Sequence, residues 1–538
     1  MASLGRASAV VAAGTLASRA TGLIRNIVLA AALGTVMSQA ADAFGIANQL
    51  PNTIFALISS GLLAGVIVPQ IVRAVREHDD HGSAFVSKLL TLGIVALTVV
   101  TAVAMVAAPV LVQLYGRNLP PEGFALALAL AYWCLPQLFF YGLYALMGEI
   151  LNARKVFGPY AWSPIINNIV SIIGFGAFVW LFGLHRDATG WTPEMVGVLG
   201  GTATLGIVLQ TVVLFFFWRR ASLSVRADFH WRGIGLRQIG RLAGWTFLMV
   251  LVGQLAALYQ VSTVSAASGA AASVFTMQSA WTVFILPYSV IVMSIGTPYY
   301  TRIAEHATVG DTDAVKRDLD AQTRIISLLI VGALVAIVAA IIPISRVFTD
   351  TSQDAVAFAF VLAGYLVALV PLSLQFGMQR TFYAFHDTRT PFFFTVVQAV
   401  IVIATTFVAV QLLEAEVLPL AFLACAIALG QSVANFAQLG VAATALRRKI
   451  GPLGLGGALR ALAVFLGVGV VAGAVGWGVF LLLGGVDGWA ASEKFTGILA
   501  AGIIGIVTLA VYGAALLVLR VPELQVAMRA VRRFLPGK

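Results

Sequence analysis

Two arginines, Arg19 and Arg25, lie in the middle of the first long apolar stretch of the sequence. An arginine at the centre of a membrane helix costs about 2.5–3.5 kcal/mol on insertion scales, so such a residue usually faces a wet cavity or an anionic partner. We therefore treat both as candidate binding residues for an anionic ligand. The alternatives are that one reaches the membrane interface through its long side chain or that it pairs with a carboxylate.

The spacing of the two arginines fixes how a helix presents them. Six residues correspond to about 120° around the helix axis and about 9 Å along it. Ser18 and Gly22 share one side of the helix with Arg25. Gly22 and Asn26 share an adjacent side with Arg19. A broad cavity wall would hold both arginines, so the candidate substrate-binding residues include Ser18, Gly22 and Asn26.

The composition indicates the elements that must carry these residues. The chain has 538 residues, of which 60% are hydrophobic and 10% charged, whereas soluble domains are about 25% charged. Its mean hydropathy is +0.96. These values predict a polytopic membrane protein. Both cysteines, Cys134 and Cys425, fall inside apolar stretches far apart in sequence and are interpreted as small core residues.

About 14 apolar stretches are long enough to cross the hydrocarbon core, which takes about 20 residues. Six lie at 8–34, 40–71, 84–113, 123–151, 158–184 and 194–218. Six more lie at 242–265, 271–301, 323–348, 355–384, 391–413 and 417–445, and a final pair at 459–484 and 495–520. The predicted fold class is an all-α polytopic membrane protein with two pseudo-symmetric six-helix lobes and two C-terminal helices.

Two basic segments lie outside the apolar stretches. We predict an N-terminal lobe over 1–218, an amphipathic cytoplasmic linker over 219–241, a C-terminal lobe over 242–447, helices thirteen and fourteen over 448–520, and a basic cytoplasmic tail over 521–538. The linker and the tail mix arginines with apolar residues, which favours contact with anionic lipids of the inner leaflet.

The two sets of six helices resemble one another. Gly65–Pro69 in helix two and Ser294–Pro298 in helix eight are each followed four residues later by an arginine. The segments 151–159 and 382–391 form a second matching pair. Both pairs are offset by about 230 residues, which indicates two parallel lobes related by an axis along the membrane normal. A transporter with a site between the lobes is the natural expectation.

Basic residues are distributed unequally between the two sets of loops. With a cytoplasmic N-terminus, the outer loops hold only Arg117, Arg186, Arg346 and Lys494. The positive-inside rule then places both termini in the cytoplasm. The net charge of +11 is explained by this topology rather than by nucleic-acid binding.

Helix two carries several polar residues at its predicted outer half. Asp42 lies at the outer end, where a carboxylate either caps the helix or pairs across an external gate. Asn48 and Asn52 lie four residues apart on one face beside Pro51. Such a pair either lines a cavity or makes hydrogen bonds between helices.

Other polar residues lie deeper in the chain. Asn167 and Asn168 in helix five and Gln254 in helix seven are either packing contacts or ligand contacts. Glu149 and Arg380 lie near the cytoplasmic ends of helices four and ten. We consider an inner gate for these two, with simple interfacial placement as the alternative.

Catalytic templates are absent from the sequence. All six histidines fall in loops or at helix ends, and there is no Walker loop, HExxH motif or nucleophile elbow. The run Glu77–His81 is interpreted as a solvated turn rather than a metal site. The sequence predicts neither an enzyme nor a metal or cofactor.

Several stretches, taken in order, resemble the MurJ (MviN) family, the lipid II flippases of the MOP superfamily. They are Ser18-Arg19-x-x-Gly22-x-x-Arg25, Ala41–Phe44, Leu50–Asn52, Gly61, Val68–Pro69, Leu151–Arg154 with Phe157, Asn167–Asn168, Tyr383–Ala384 and Asp387–Pro391. The resemblance covers the whole chain, including the helix count.

The resemblance implies a two-lobed transporter in the bacterial cytoplasmic membrane. Its central cavity would bind the headgroup of lipid II, and helices thirteen and fourteen would form a groove for the polyprenyl tail. Arg19 and Arg25 would meet the diphosphate, which suits the forked guanidinium group. Asp42 would belong to the outer gate. An ion gradient or the membrane potential would bias the two states.

The sequence also departs from the family pattern. Phe55 and Ser60 stand where family members often carry an arginine and an acidic partner, and Thr282 stands in place of an arginine of helix eight. The cavity would be less cationic, which leaves the headgroup open. Helix seven holds no acidic residue, so a sodium site of the kind found in some relatives is not supported.

Three other functions compete with lipid II transport. A flippase for another polyprenyl-diphosphate-linked oligosaccharide also needs a diphosphate site. An exporter of cationic drugs would need acidic cavity residues, which disfavours that function. A non-transporting scaffold that recruits cell-wall synthesis proteins through basic loops predicts that Arg19 and Arg25 tolerate neutral substitution.

Overall fold

The computed structural model describes residues 2–62, 82–154, 156–218, 226–230 and 236–524. Within these ranges the chain forms helices joined by turns and short irregular segments, and it contains no β-strand. Helices satisfy their backbone N–H and C=O groups within each segment, which the core of a bilayer demands of any chain that crosses it.

Among the described residues, ten helices precede residue 270. They are α1 (Ala2–Leu33), α2 (Gln39–Leu62), α3 (Ser83–Val106), α4 (Ala108–Tyr115), α5 (Pro121–Cys134), α6 (Gln137–Ala153), α7 (Gly158–Trp162), α8 (Pro164–Phe182), α9 (Pro193–Phe216) and α10 (Leu236–Val264). A 3₁₀ turn at Ser265–Ala267 ends this series.

The described remainder of the chain adds eleven helices. They are α11 (Val274–Pro287), α12 (Met293–Thr308), α13 (Thr312–Ala339), α14 (Ile341–Phe348), α15 (Ser352–Leu366), α16 (Leu369–Ala384), α17 (Arg389–Glu414), α18 (Leu423–Ile450), α19 (Gly456–Leu482), α20 (Trp489–Ser492) and α21 (Lys494–Val518). A π-helical turn at Tyr288–Val292 joins α11 to α12.

Thirteen helical stretches among the described residues are long and apolar enough to cross a membrane. They coincide with thirteen of the predicted stretches, which confirms the all-α polytopic fold. The remaining stretch, predicted at 40–71, corresponds to α2, which is described as far as Leu62. Its predicted continuation falls within 63–81, outside the described residues.

The chain divides by its contacts into two compact units, residues 1–275 and 276–538. The sequence predicts a boundary at the basic segment 219–241, before the seventh membrane helix. In the structure that helix, α10, packs against α2 and α4 within the first unit. The first unit thus contains six of the thirteen membrane-length stretches together with α2, and the predicted lobe boundaries remain a prediction.

Each unit contains the same two interruptions of its long helices. The third membrane helix of each predicted six-helix set ends in a short extension, α4 after α3 in the first unit and α14 after α13 in the second. The fourth is broken, between α5 and α6 at Pro136 and between α15 and α16 just before Pro371. A proline lacks an N–H and clashes with the carbonyl four residues earlier, which explains both breaks. These paired interruptions lie about 230 residues apart, the same offset as the sequence repeats.

Small residues allow close helix contacts inside the first unit. A Cβ atom added to Gly206 on α9 would lie 2.5 Å from Asn167 Oδ1 on α8. Only glycine therefore permits this approach, as is common between membrane helices. Asn167 is buried and its Oδ1 accepts a hydrogen bond from the Ser171 hydroxyl at 3.4 Å. This places Asn167 at a packing contact.

The last two membrane helices pack on α13 in the second unit. Leu328 and Val331 of α13 form a buried apolar cluster with Phe465 of α19 and Tyr512 of α21. The Tyr512 hydroxyl donates a hydrogen bond to the Leu328 carbonyl oxygen at 3.0 Å. A buried tyrosine needs such a partner for its polar end. Helices thirteen and fourteen, α19 and α21, are therefore fixed to the unit through α13, and α21 also contacts α14.

Candidate functional site

The two arginines of α1 lie inside the stretch Ala13–Leu33 that is long and apolar enough to cross a membrane. Arg19 is exposed and Arg25 is half-buried. The Arg25 Nη2 atom donates a hydrogen bond to Asn26 Oδ1 at 3.4 Å. Among the residues that the structure describes, no carboxylate lies within ion-pair distance of either arginine. The alternative of a structural ion pair therefore finds no partner in this part of the chain.

An aromatic pair lies beside Arg25. Tyr141 of α6 lies within electrostatic range of the Arg25 guanidinium, and its ring stacks on Phe55 of α2 with centroids 5.9 Å apart and planes at 28°. Tyr141 thus belongs both to the surroundings of the α1 cation and to an aromatic pair with α2. Sequence reasoning missed Tyr141, because it follows Phe139 and Phe140 in a run that is indistinguishable from ordinary membrane-helix residues.

Ser18 and Gly22 face a neighbouring helix. The Asn168 side-chain amide on α8 donates hydrogen bonds to the Ser18 carbonyl oxygen at 3.0 Å and to Thr21 Oγ1 at 2.9 Å. A Cβ atom added to Gly22 would lie 3.5 Å from the same amide nitrogen. Ser18 and Gly22 therefore take part in the α1–α8 contact, with Asn168 as the polar link. Their role in substrate binding remains a prediction.

Asp42 is 1% exposed and lies in the first turn of α2. Its Oδ1 atom accepts a hydrogen bond from the Phe275 backbone N–H at 2.8 Å, in the first turn of α11. Ser38 is the residue that caps α2, since its hydroxyl oxygen accepts a hydrogen bond from the Ala41 N–H at 3.1 Å. Asp42 thus holds a backbone group 233 residues away in sequence rather than the start of its own helix.

The two asparagines of helix two differ in their surroundings. Asn48 is half-buried and Asn52 is exposed, and α2 stays helical across Pro51 between them.

The side chain of Ser60 lies outside the described residues. Thr282 donates a hydrogen bond to the Gln278 carbonyl oxygen at 3.0 Å, one turn earlier in its own helix.

Glu149 is half-buried on α6. It lies near the side chains of Asn152 and Tyr160. These neighbours are compatible with either predicted role, the inner gate or the interfacial position.

Arg380 rests on aromatic rings of its own unit. Its guanidinium carbon lies 5.0 Å from the ring centroid of Phe376, 5.4 Å from Tyr300 and 5.9 Å from Tyr383. Each ring face attracts a cation through its quadrupole. The side chain is half-buried, so these rings shield part of the charge. An aromatic cage of this kind holds the arginine in place, and no carboxylate among the described residues pairs with it.

No cluster of three or more histidine, cysteine, aspartate or glutamate side chains forms a metal-binding group among the described residues. Cys134 is buried, Cys425 is partly buried, and both are free thiols.

Most of the predicted linker and tail falls outside the described residues, at 219–225, 231–235 and 525–538. The contact of these segments with lipid remains a prediction.

Comparisons with known sequences point to one family. The family model described as "Lipid II flippase MurJ" matches residues 29–518. A relative from Rickettsia prowazekii, "Probable lipid II flippase MurJ", is 26% identical over 402 residues, which are 74% of this chain and 76% of the relative. A relative of the same description from Haemophilus influenzae is 27% identical over 398 residues, which are 70% of this chain and 75% of the relative.

Comparisons with solved structures agree on the fold. A structure described as "Lipid II flippase MurJ, inward closed conformation" matches 94% of this chain and 98% of its own with a TM-score of 0.71 at 19% identity. A multidrug resistance MATE transporter of the MOP superfamily in an inward-facing conformation matches 81% of this chain and 95% of its own, with a TM-score of 0.63 at 16% identity. Because the family model matches residues 29–518, the chain belongs to the lipid II flippase MurJ family, a family of transporters rather than enzymes.

Proposed function

We propose that this chain moves lipid II from the inner to the outer leaflet of the bacterial cytoplasmic membrane by alternating access. The observation that carries the proposal is Arg25, a half-buried cation inside a membrane-crossing helix, in a chain of the lipid II flippase MurJ family. Among described residues it has no carboxylate partner. A cation held at this depth is suited to an anionic ligand.

The chemistry of the substrate fits the residues of α1. The guanidinium groups of Arg19 and Arg25 would each present forked N–H donors to the oxygens of the diphosphate. The Asn26 amide, already hydrogen-bonded to Arg25, would orient that fork. A diphosphate also needs several donors at once, which two arginines on one helix supply.

The aromatic pair beside Arg25 favours a sugar next to the diphosphate. Phe55 and Tyr141 offer flat apolar surface, and the substrate of the family carries a disaccharide on its diphosphate. The arginine that family members often carry at the position of Phe55 is replaced here by a ring. The same observation supports the second candidate, a related polyprenyl-diphosphate glycolipid with another headgroup.

The transport cycle would use the remaining predicted elements. Both termini would lie in the cytoplasm, as the distribution of basic residues indicates. Asp42 would act at the outer gate, and Glu149 and Arg380 at the inner gate. The helices α19 and α21 would hold the polyprenyl tail, and an ion gradient or the membrane potential would bias the two states.

Complementation of a cell depleted of its lipid II flippase tests the proposal. The parent, Arg19→Ala and Arg25→Ala are compared at matched membrane levels, with Arg117→Ala, an exposed arginine outside the site, as the control. We expect the parent and Arg117→Ala to rescue growth, Arg25→Ala to fail and Arg19→Ala to fail or rescue weakly. Rescue by all four would remove the arginines from the mechanism and favour the scaffold function.

The second candidate gives a different pattern. Failure of a properly inserted parent would favour another glycolipid. Reconstituted vesicles loaded separately with lipid II and with a polyprenyl-diphosphate oligosaccharide then decide between the two, because only the true substrate is translocated.

A further inference from the structure

An apolar groove lies in the first unit between α3, α6 and the end of α9. Its volume is about 340 Å³, within the range of small-molecule sites. Most of its wall is aliphatic or aromatic, formed by Leu90, Ile94, Val95, Leu143, Met147 and Phe215. Ile94, Val95 and Phe215 are also exposed at 41%, 37% and 52%, so the groove opens at the surface of the helices. No residue of the predicted flippase site lines it.

The described segment 226–230 also lines this groove, through Arg226, Ala227 and Phe229. The Arg226 backbone N–H donates a hydrogen bond to Ser87 Oγ at 3.2 Å, and the Asp228 N–H donates to Thr91 Oγ1 at 3.0 Å. Both hydroxyls donate in turn to carbonyl oxygens of α3, at 2.7 Å and 2.8 Å. Each hydroxyl therefore accepts a hydrogen bond from segment 226–230 and donates one to a carbonyl oxygen of α3. These hydrogen bonds hold the segment against α3.

The part of the groove that segment 226–230 forms carries a basic side chain. Arg226 lines it with an exposed side chain, and Lys88 lies within electrostatic range of Asp228. The Asp228 carboxylate is engaged with His230, accepting from its backbone N–H at 2.9 Å. Trp218 also lines the groove, a residue type that favours the membrane–water interface. An apolar wall thus ends at a cationic, interfacial rim.

We propose that this groove binds an acyl chain of an acidic phospholipid, with the lipid phosphate at Arg226. The apolar wall suits a hydrocarbon chain, and the charge at its end selects a headgroup with net negative charge over a zwitterionic one. The placement of this lipid in the inner leaflet rests on the proposed orientation of the chain in the membrane. Binding of the lipid to the groove does not depend on that orientation. The lipid would lie against segment 226–230, within the predicted connection between the lobes, and would hold that connection against α3.

Native mass spectrometry of the detergent-solubilised full chain tests this proposal. The protein is titrated with phosphatidylglycerol, with phosphatidylcholine and with a polyprenyl phosphate. Arg226→Gln removes the charge, and Arg447→Gln, an exposed arginine of α18, is its matched control. Val95→Trp fills the groove, and Val99→Trp, one turn further along α3 and outside the groove, is the control. Thermal unfolding checks that each variant is folded, and Ile94→Trp replaces Val95→Trp if that variant fails.

The wild type is expected to bind phosphatidylglycerol about fivefold more tightly than phosphatidylcholine, the effect of one basic residue at a lipid headgroup. Arg226→Gln should abolish that preference, and Val95→Trp should remove one bound lipid of either kind. Unchanged phosphatidylglycerol binding in both variants would overturn the proposal, as would equal losses in the controls. Tighter binding of polyprenyl phosphate than of phosphatidylglycerol would assign the groove to an isoprenoid chain instead. The assay reads binding in detergent, so its outcome is independent of lipid II transport.

Discussion

The described neighbours of Arg25 lie on helices that are distant in sequence. Asn26 lies on the same helix, whereas Tyr141 lies on α6 and stacks on Phe55 of α2. The arginines were predictable because a charge inside an apolar stretch is conspicuous in sequence. The aromatic pair was not, because rings are common on every face of a membrane helix.

The Tyr141 ring gives a first prediction. Tyr141→Leu removes the flat ring on which a bound sugar would pack and should weaken lipid II binding, and loss of the stack on Phe55 should also cost about 0.5–1.5 kcal/mol of folding free energy. Tyr141→Phe keeps the ring and should retain most of the affinity. Binding of fluorescent lipid II in detergent measures both. Equal losses in the two variants would show that the hydroxyl, not the ring, matters.

The Asp42 carboxylate gives a second prediction. Asp42→Ala leaves the Phe275 N–H without its acceptor, and an unsatisfied buried donor costs about 1–3 kcal/mol of folding free energy. Asp42→Asn retains an oxygen that can accept this bond, so its loss should be smaller. Thermal unfolding of the purified variants measures the difference. An Asp42→Ala protein as stable as the wild type would contradict the contact.

At the scale of helices, Asn168 links α1 to α8. Asn168→Ala removes two hydrogen bonds, and such bonds between membrane helices are worth about 0.6 kcal/mol each on average. We expect a measurable fall in melting temperature, while Asn52→Ala, an exposed asparagine, should leave it unchanged. Equal stability of the two variants would argue that the α1–α8 contact depends on shape alone.

The loop between α16 and α17 gives a prediction about pH. Burial alone would raise the pKa of Asp387, but hydrogen bonds from Lys449 at 2.8 Å and from Thr390 outweigh it and lower the pKa. A depressed pKa in the folded state means that the contact stabilises fully above the unfolded pKa of about 3.9. The stabilisation is lost as the pH falls through the folded pKa.

Melting temperatures between pH 3 and pH 7 test this pair. Asp387→Asn should lower the melting temperature at pH 7, and the difference from the wild type should shrink as the pH approaches 3. Arg448→Gln, an exposed neighbour of Lys449, serves as the control. A difference that stays constant with pH would contradict the assigned charge pair.

The sequence predicts helices better than it predicts their contacts. Apolar stretches of membrane length are visible directly, and Pro136 and Pro371 mark the positions at which two of the helices break. Contacts between distant segments depend on packing that the local sequence does not encode. The capping of α2 illustrates this, since both Ser38 and Asp42 suit a helix start, and only the position of Phe275 separates their roles.

At the scale of the whole molecule, two compact units share paired interruptions at an offset of about 230 residues. This duplication agrees with the sequence repeats. The alternating access proposed above would use such a duplicated architecture. The α1 arginines are the residues on which the proposed chemistry depends.

Translocation of lipid II in reconstituted vesicles is the most direct test of that dependence. Purified wild type, Arg25→Ala and Arg117→Ala are inserted at equal density into vesicles that contain labelled lipid II, and the fraction reaching the opposite leaflet is followed with time. We predict transport by the wild type and by Arg117→Ala, and transport at least tenfold slower by Arg25→Ala, equivalent to about 1.4 kcal/mol. Equal rates in all three proteins, or no transport by a folded wild type, would contradict the account.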